Sequence, residues 1–277
     1  MNSSLVLSSA TFIYALASVF YIAAFAFKKK LFTRAGFIVL VTGILANTAG
    51  ILMRWVESYQ MGYGHAPFAN MYESLVFFAW TVAMLYIFVE LKYKESILGA
   101  FAAPLAFLAI AYASLSPDIS SKITPLIPAL KSNWLIAHVI TCFLGYAGFA
   151  VAFGFSIMYF LRPRNPESAS VFNKLPSLDV IDELTYQMIV FGFLFLTIGI
   201  ITGSVWANSA WGKYWSWDPK ETWSLITWIV YAVFLHLRLM KGWYGRNLAW
   251  VSISGFICVM FTYFGVNFLL SGLHSYG

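Results

Sequence analysis

The sequence predicts an all-α, polytopic integral membrane protein with about eight transmembrane helices. Three observations carry that expectation. Of 277 residues, 61% are hydrophobic and 10% charged, too few polar side chains to cover a water-soluble globule of this size. Apolar runs of spanning length recur from one end of the chain to the other. The basic residues between the runs alternate in density, as they do when successive connections lie on opposite faces of a bilayer. The formal charge of +6 is dispersed among long uncharged stretches, so it reads as topology and implies no nucleic-acid partner.

Taken in order, the spans run from about Leu5 to Phe27, Ala35 to Met53, Ser74 to Val89, Ile97 to Leu115, Trp134 to Leu161, Tyr186 to Trp206, Trp223 to Met240 and Leu248 to Leu270. The first has no basic residue before it and Lys28-Lys29-Lys30 after it, the reverse of a cleavable signal, so it is expected to remain as a helix. The first, third, fifth and seventh connections hold twelve lysines and arginines. The opposite side holds five: Arg54, Lys122, Lys131, Lys213 and Lys220. Basic residues are retained on the cytoplasmic face, which puts both termini outside. Arg238, at a span end, is expected to snorkel to the interface. Cys142 and Cys258 fall in separate apolar runs with no Cys-X-X-Cys pair, so any thiol chemistry comes from a partner.

Three outer connections follow from this topology: about 54–69, 116–133 and 207–222. The middle one, rich in Pro and Ser, reads as a linker. On the inner side, SLDVIDEL at the end of the longest connection alternates apolar and acidic residues and suggests a short helix lying on the membrane surface. No internal repeat is evident, and the whole chain, 1–277, reads as a single transmembrane domain.

Six of the eleven tryptophans lie between Trp206 and Trp228, in WANSAWGKYWSWDPKETWSLITW. An aromatic belt accounts for tryptophans at span ends. It accounts less well for Trp211, Trp215 and Trp217, which read as part of an outer loop spanning about 206–223. Indoles there would make a flat apolar platform for a large planar ligand. Asp218-Pro219-Lys220-Glu221 has the pattern of a helix start, with Asp218 as N-cap, Pro219 at N1 and Glu221 at N3. In GHAPFANMYESL, Asn70 and Glu73 repeat the pattern.

Of four histidines, His138 lies about one turn below the outer end of the fifth span and His274 just beyond the outer end of the eighth. Two neutral imidazoles facing each other across an aromatic platform are a standard way to hold haem iron at both axial positions. Each is equally readable as an interfacial polar residue. His236, roughly 20 Å below the outer face, lies too deep to share that iron. It either packs near the inner interface or marks a second, inner site. His65, in the first outer loop, either lines the outer site or stabilises the loop.

With the tryptophan loop, GHAPFANMYESL and the three helix-associated histidines in view, the chain resembles the CcsA (ResC) family of cytochrome c assembly proteins. The likeness covers most of the chain. WGKYWSWDPKETW resembles that family's tryptophan-rich WWD signature. CcmC and CcmF carry related loops, but the Trp-Ser-Trp-Asp-Pro-Lys-Glu-Thr-Trp form and the eight spans are closer to CcsA. The resemblance implies a haem-handling subunit of a system II cytochrome c synthase, a haem lyase acting with a CcsB (ResB) partner. Its substrates would be haem b and the Cys-X-X-Cys-His segment of apocytochromes c.

In that picture His138 and His274 ligate the iron, and Trp211, Trp215 and Trp217 support its plane. Asp218 caps the following helix, and His236 pairs with a histidine from the partner. Arg54, Lys213 and Lys220 are possible counter-charges for the haem propionates. The membrane would be a bacterial plasma membrane or a plastid thylakoid. The competing readings are a b-type cytochrome electron carrier, which would carry histidine pairs within its spans, and a solute transporter, which would carry helices broken near the midplane.

Overall fold

In the computed structural model, which describes residues 2–127, 130–163 and 170–270, the chain forms two compact units, Met1–Lys131 and Ser132–Gly277. Eight described helices are long and apolar enough to cross a membrane, as the hydropathy runs predict. Each unit holds four of them.

The first unit comprises α1 (Ser3–Phe27), α2 (Lys30–Gln60), α3 (Met71–Tyr93) and α4 (Gly99–Leu115). Helices α1 and α2 pack through a seven-residue repeat. Leu7, Tyr14 and Tyr21 are all fully buried on one face of α1. They lie against Gly50, Gly43 and Gly36 of α2, where a Cβ would come within 2.5, 2.9 and 3.2 Å of the respective side chains. Glycine at these positions lets two helices without a hydrophobic driving force between them approach closely enough for dispersion to hold them.

Helix α2 is far longer than its apolar run because Arg54 does not end it. Arg54 is 2% exposed, its Nε donates to Glu73 of α3 at 2.7 Å, and its guanidinium lies over the Tyr72 ring. A charge neutralised inside the unit costs the helix little of what it would cost in lipid. The same burial removes Arg54 from the candidates for a propionate counter-charge. Asn70 caps α3 by accepting from the Glu73 amide, as the sequence pattern predicts, while the Glu73 carboxylate accepts from the amide of Ala69, one residue before the cap.

The second unit comprises α5 (Asn133–Leu161), α6 (Leu178–Trp211), α7 (Pro219–Lys241) and α8 (Arg246–Met260). The eighth span continues through a π-helical turn, Phe261–Gly265, into the short α9 (Val266–Leu269). Tyr231 of α7 is fully buried and stacks on Phe149 of α5, ring centroids 3.6 Å apart.

Two expectations are corrected here. SLDVIDEL forms no separate surface helix: from Leu178 onward it is the start of the 34-residue α6, capped by Ser177. Arg238 does not snorkel. It is 8% exposed, bonded to Asp182 and Glu183 of α6, and lies over the rings of Tyr186 and Tyr244. The two corrections share one cause, because the acidic residues that make the segment look like a separate surface element are the partners of the arginine. A cavity of about 400 Å³ opens beside this cluster, lined by Tyr159, Asp179, Asp182, Glu183, Arg238 and Tyr244 among others.

Candidate functional site

Helix α6 ends at Trp211, capped by Gly212 in the left-handed conformation (φ 73°), so Trp206 and Trp211 are helical and the loop proper is only 212–218. That shortening changes what the tryptophans do. Trp206, 1% exposed, stacks on the imidazole of His138 with ring centroids 5.9 Å apart and planes 18° from parallel. Trp211, at the last position of α6, meets Trp206 edge-on at 4.8 Å. His138, Trp206 and Trp211 thus form one aromatic column. Within the loop, Trp215 and Trp217 pair at 5.7 Å with perpendicular planes. Trp217 is 66% exposed and adopts a positive φ of 60°, a conformation unusual for a bulky residue. Trp223 packs on Phe261 of the π-helical turn, while Trp228 donates to Thr197 of α6. These last two tryptophans hold helices together.

The loop is held from below by the start of α7. Asp218 caps the helix by accepting from the Lys220 amide, and Glu221 completes a capping box. One Glu221 oxygen accepts from the amides of Ser216 (2.7 Å) and Asp218 (3.2 Å) and from the Ser216 hydroxyl. Asp218 and Glu221 are both buried, so the loop's polar backbone is gathered onto a single carboxylate. Lys220 donates to Asn267 of α9 at 2.8 Å, and Asn267 in turn donates to the Tyr263 carbonyl in the π-helical turn. Lys220 therefore ties the loop to the end of the eighth span. Lys213 is exposed in the loop.

His138 lies in the second turn of α5 and is half-buried. Its Nδ1 is 2.8 Å from the carbonyl oxygen of Gly199 in α6. A carbonyl oxygen only accepts, so Nδ1 carries a proton, which in a neutral ring leaves the lone pair on Nε2. This arrangement, with the distal nitrogen bonded to a backbone carbonyl, is the one in which an imidazole serves as a metal ligand with fixed tautomer and orientation. The donor chemistry and the surrounding indole faces fit a haem.

The other histidines differ. His236 is exposed on α7 and has no hydrogen-bonding partner among the described residues; it is not among the residues lining the 400 Å³ cavity. His65, in the first unit, is buried, with Nδ1 and Nε2 each 2.9 Å from a carbonyl oxygen, of Ala66 and Thr124 respectively. It joins the two non-helical loops of that unit, the geometry of the loop-stabilising alternative. His274 lies outside the described residues.

Residues 68–274 match the family model described as Cytochrome C assembly protein. The chain belongs to that family. Its similarity to curated members extends over most of the sequence. The chain is 41% identical to the cytochrome c biogenesis protein CcsA of Synechococcus sp. (strain RCC307), over 87% of this chain and 84% of that protein. It is 42% identical to the CcsA of Guillardia theta, over 81% of this chain and 79% of the relative. The CcsA of Chlamydomonas reinhardtii is 43% identical, over 82% of this chain and 64% of its own length. The solved structure of the cytochrome c heme lyase CcmF shares the fold, with a TM-score of 0.71 over 95% of this chain at 18% identity. The present chain spans about half of CcmF, 47% of its length. The family match begins at Phe68, so it takes in α3 onward and all but the last three residues of the second unit, including the His138 column.

The site residue that the sequence pattern missed is Trp206. Read as the last residue of a span, it looks like a belt tryptophan. The signal that identifies it is periodicity: Gly199, Gly203 and Trp206 fall at i, i+4 and i+7, one face of a helix that has to continue past Trp206 for the pattern to matter.

Proposed function

We propose that this chain is the haem-handling membrane subunit of a system II cytochrome c synthase, presenting haem b at the tryptophan-loop end of the second unit for attachment to apocytochrome c. The observation that carries the proposal is His138: an imidazole whose Nδ1 donates to the Gly199 carbonyl, stacked on Trp206 beside the tryptophan loop. Family membership and the likeness to CcsA proteins support it.

In this reading His138 and His274 are the axial ligands of the substrate iron, and Trp211, Trp215 and Trp217 offer apolar faces to the macrocycle. Asp218 and Glu221 hold the loop rigid, which a positioning role requires. The covalent chemistry belongs to the client: each thiol of Cys-X-X-Cys-His adds across one haem vinyl group, sulfur to one carbon and hydrogen to the other. What this chain supplies is orientation. Lys213, exposed in the loop, remains the candidate counter-charge for a propionate. Lys220 is engaged with Asn267, and His65 with two carbonyls.

His236 supports a partner of the CcsB (ResB) type. It lies on an exposed face of α7 with Ile229, Val233 and Met240, and a polar imidazole within a span is costly against lipid. A partner helix carrying a second histidine would cover it and complete an inner haem site. The neighbouring cavity does not suit that task, because three carboxylates against one arginine repel propionates. Cyanobacterial and plastid relatives fit a bacterial plasma membrane or a thylakoid membrane.

The test is co-expression with the partner and a Cys-X-X-Cys-His reporter, read by staining for covalent haem. The proposal predicts covalent product that disappears in His138→Ala. Haem retained by a correctly assembled complex that never yields covalent product would favour the electron carrier instead.

A further inference from the structure

The floor beneath the His138 ring is a glycine. A Cβ on Gly203 would lie 2.5 Å from His138 Nδ1 and 2.7 Å from its Cε1, closer than side-chain atoms approach one another. The ring has little room to retreat. Its Nδ1 is bonded to the Gly199 carbonyl, and Trp206 lies parallel to its face. One turn along, Cys142 fills the next position against Gly199, where a Cβ would fall 2.6 Å from its sulfur. The Gly199 carbonyl is the one that an uninterrupted helix pairs with the amide of Gly203, so one helical repeat supplies both the hydrogen-bond acceptor and the bare surface.

We infer that Gly203 and Gly199 are positioning residues for His138. The missing side chain at Gly203 sets where the ring sits, and the Gly199 carbonyl sets which nitrogen it presents. This rests on the proposed role of His138 as an iron ligand and adds to it: the ligand's geometry is determined by α6, a helix that contributes no ligand of its own. Groups that orient a metal-bound histidine are commonly worth roughly 10- to 100-fold in metal affinity.

A second glycine on the same α5–α6 seam provides the control. At Gly192 a Cβ would meet the Phe149 ring at 2.6 Å and the Gly145 carbonyl oxygen at 2.9 Å, contacts that involve no part of His138. Gly192→Ala, which also presses on α5 backbone, should therefore strain the same helix pair at least as much as Gly203→Ala, and yet only Gly203→Ala should disturb the ligand.

The experiment compares wild type, Gly203→Ala and Gly192→Ala in the full chain co-purified with its partner. It reads haem affinity by titration, the low-spin bis-imidazole spectrum and the haem midpoint potential, alongside the amount of folded protein. The expected result is a loss of roughly 10-fold or more in haem affinity with altered spectrum and potential for Gly203→Ala, and wild-type spectrum and potential for Gly192→Ala. A Gly203→Ala protein with wild-type affinity, spectrum and potential overturns the inference, as does a Gly192→Ala protein with the same defect. Should Gly203→Ala fail to accumulate, His138→Gly in the same chain removes the ring and has to restore accumulation; failure to restore it also overturns the inference. A wild-type complex whose haem does not depend on His138 contradicts the functional proposal itself, a separate outcome.

Discussion

His138 and His236 occupy two ends of the same four-helix unit, and their surroundings are opposite in kind. His138 is oriented by its own chain: a carbonyl fixes the tautomer, a glycine shapes the slot and a buried indole covers the ring. His236 is exposed, with no hydrogen-bonding partner among the described residues. The ionic groups near it are already satisfied, since Arg238 is occupied by Asp182 and Glu183. On the proposed function, one end holds a pre-organised half of a site, and the other holds a histidine that another chain would complete. Pre-organisation within one chain suits an end where a client must repeatedly displace a ligand. A site shared between chains suits a place where haem is passed across a boundary.

The largest effect that separates the two ends is on stability. Arg238→Ala leaves Asp182 without its cation in a largely buried setting and is expected to cost about 3 kcal/mol, the lower end for a broken buried pair because Glu183 is half exposed. Thermal unfolding of the purified complex measures it. The haem spectrum of the protein that remains folded should keep its His138 component.

The contrast is sharpened by removing the partner. Chain expressed alone should retain haem that is lost in His138→Ala, whereas His236→Ala should change the spectrum only when the partner is present. A His236-dependent haem signal in the isolated chain would mean that the inner site is complete without a partner. Smaller still is the effect of the cap. Asp218→Ala removes the acceptor for the Lys220 amide and should cost about 1 kcal/mol, with Asp218→Asn close to neutral, since both Asp and Asn cap helices well. A loss of haem in Asp218→Asn as large as in Asp218→Ala, with stability retained, would point to a direct role for the carboxylate. Smallest is Lys213→Ala, within about 0.5 kcal/mol in stability because the residue is exposed in the loop; any effect should appear in haem affinity instead.

The number and order of the spans were legible because lipid demands continuous apolar helices, and the cap residues were legible because a helix start uses few residue types. Asn70, Glu73, Asp218 and Glu221 all occupy the positions that their spacing predicts. Helix ends were less legible. Hydropathy stops a span at the first charges, but Arg54 is neutralised by Glu73, and the acids at the start of α6 are neutralised by Arg238. Both helices run on past the point where composition turns polar. At the far end of α6 there is no charge to neutralise: the helix runs through the uncharged polar pair Asn208 and Ser209 to Trp211, which shortens the tryptophan loop and makes Trp206 part of the helix. His138 was legible as a candidate ligand from its depth. What orients it, a carbonyl and a glycine on another helix, comes from tertiary packing that no local pattern encodes.

On the proposed function, the tryptophan-loop end holds haem through histidine ligands. The most direct test is the absorption and electron paramagnetic resonance spectrum of the purified complex with His138 and His274 both replaced by alanine. The expected result is loss of the low-spin bis-imidazole haem at this end, with recovery of low-spin haem on adding free imidazole. A double variant that keeps a wild-type bis-imidazole spectrum without added imidazole would contradict it.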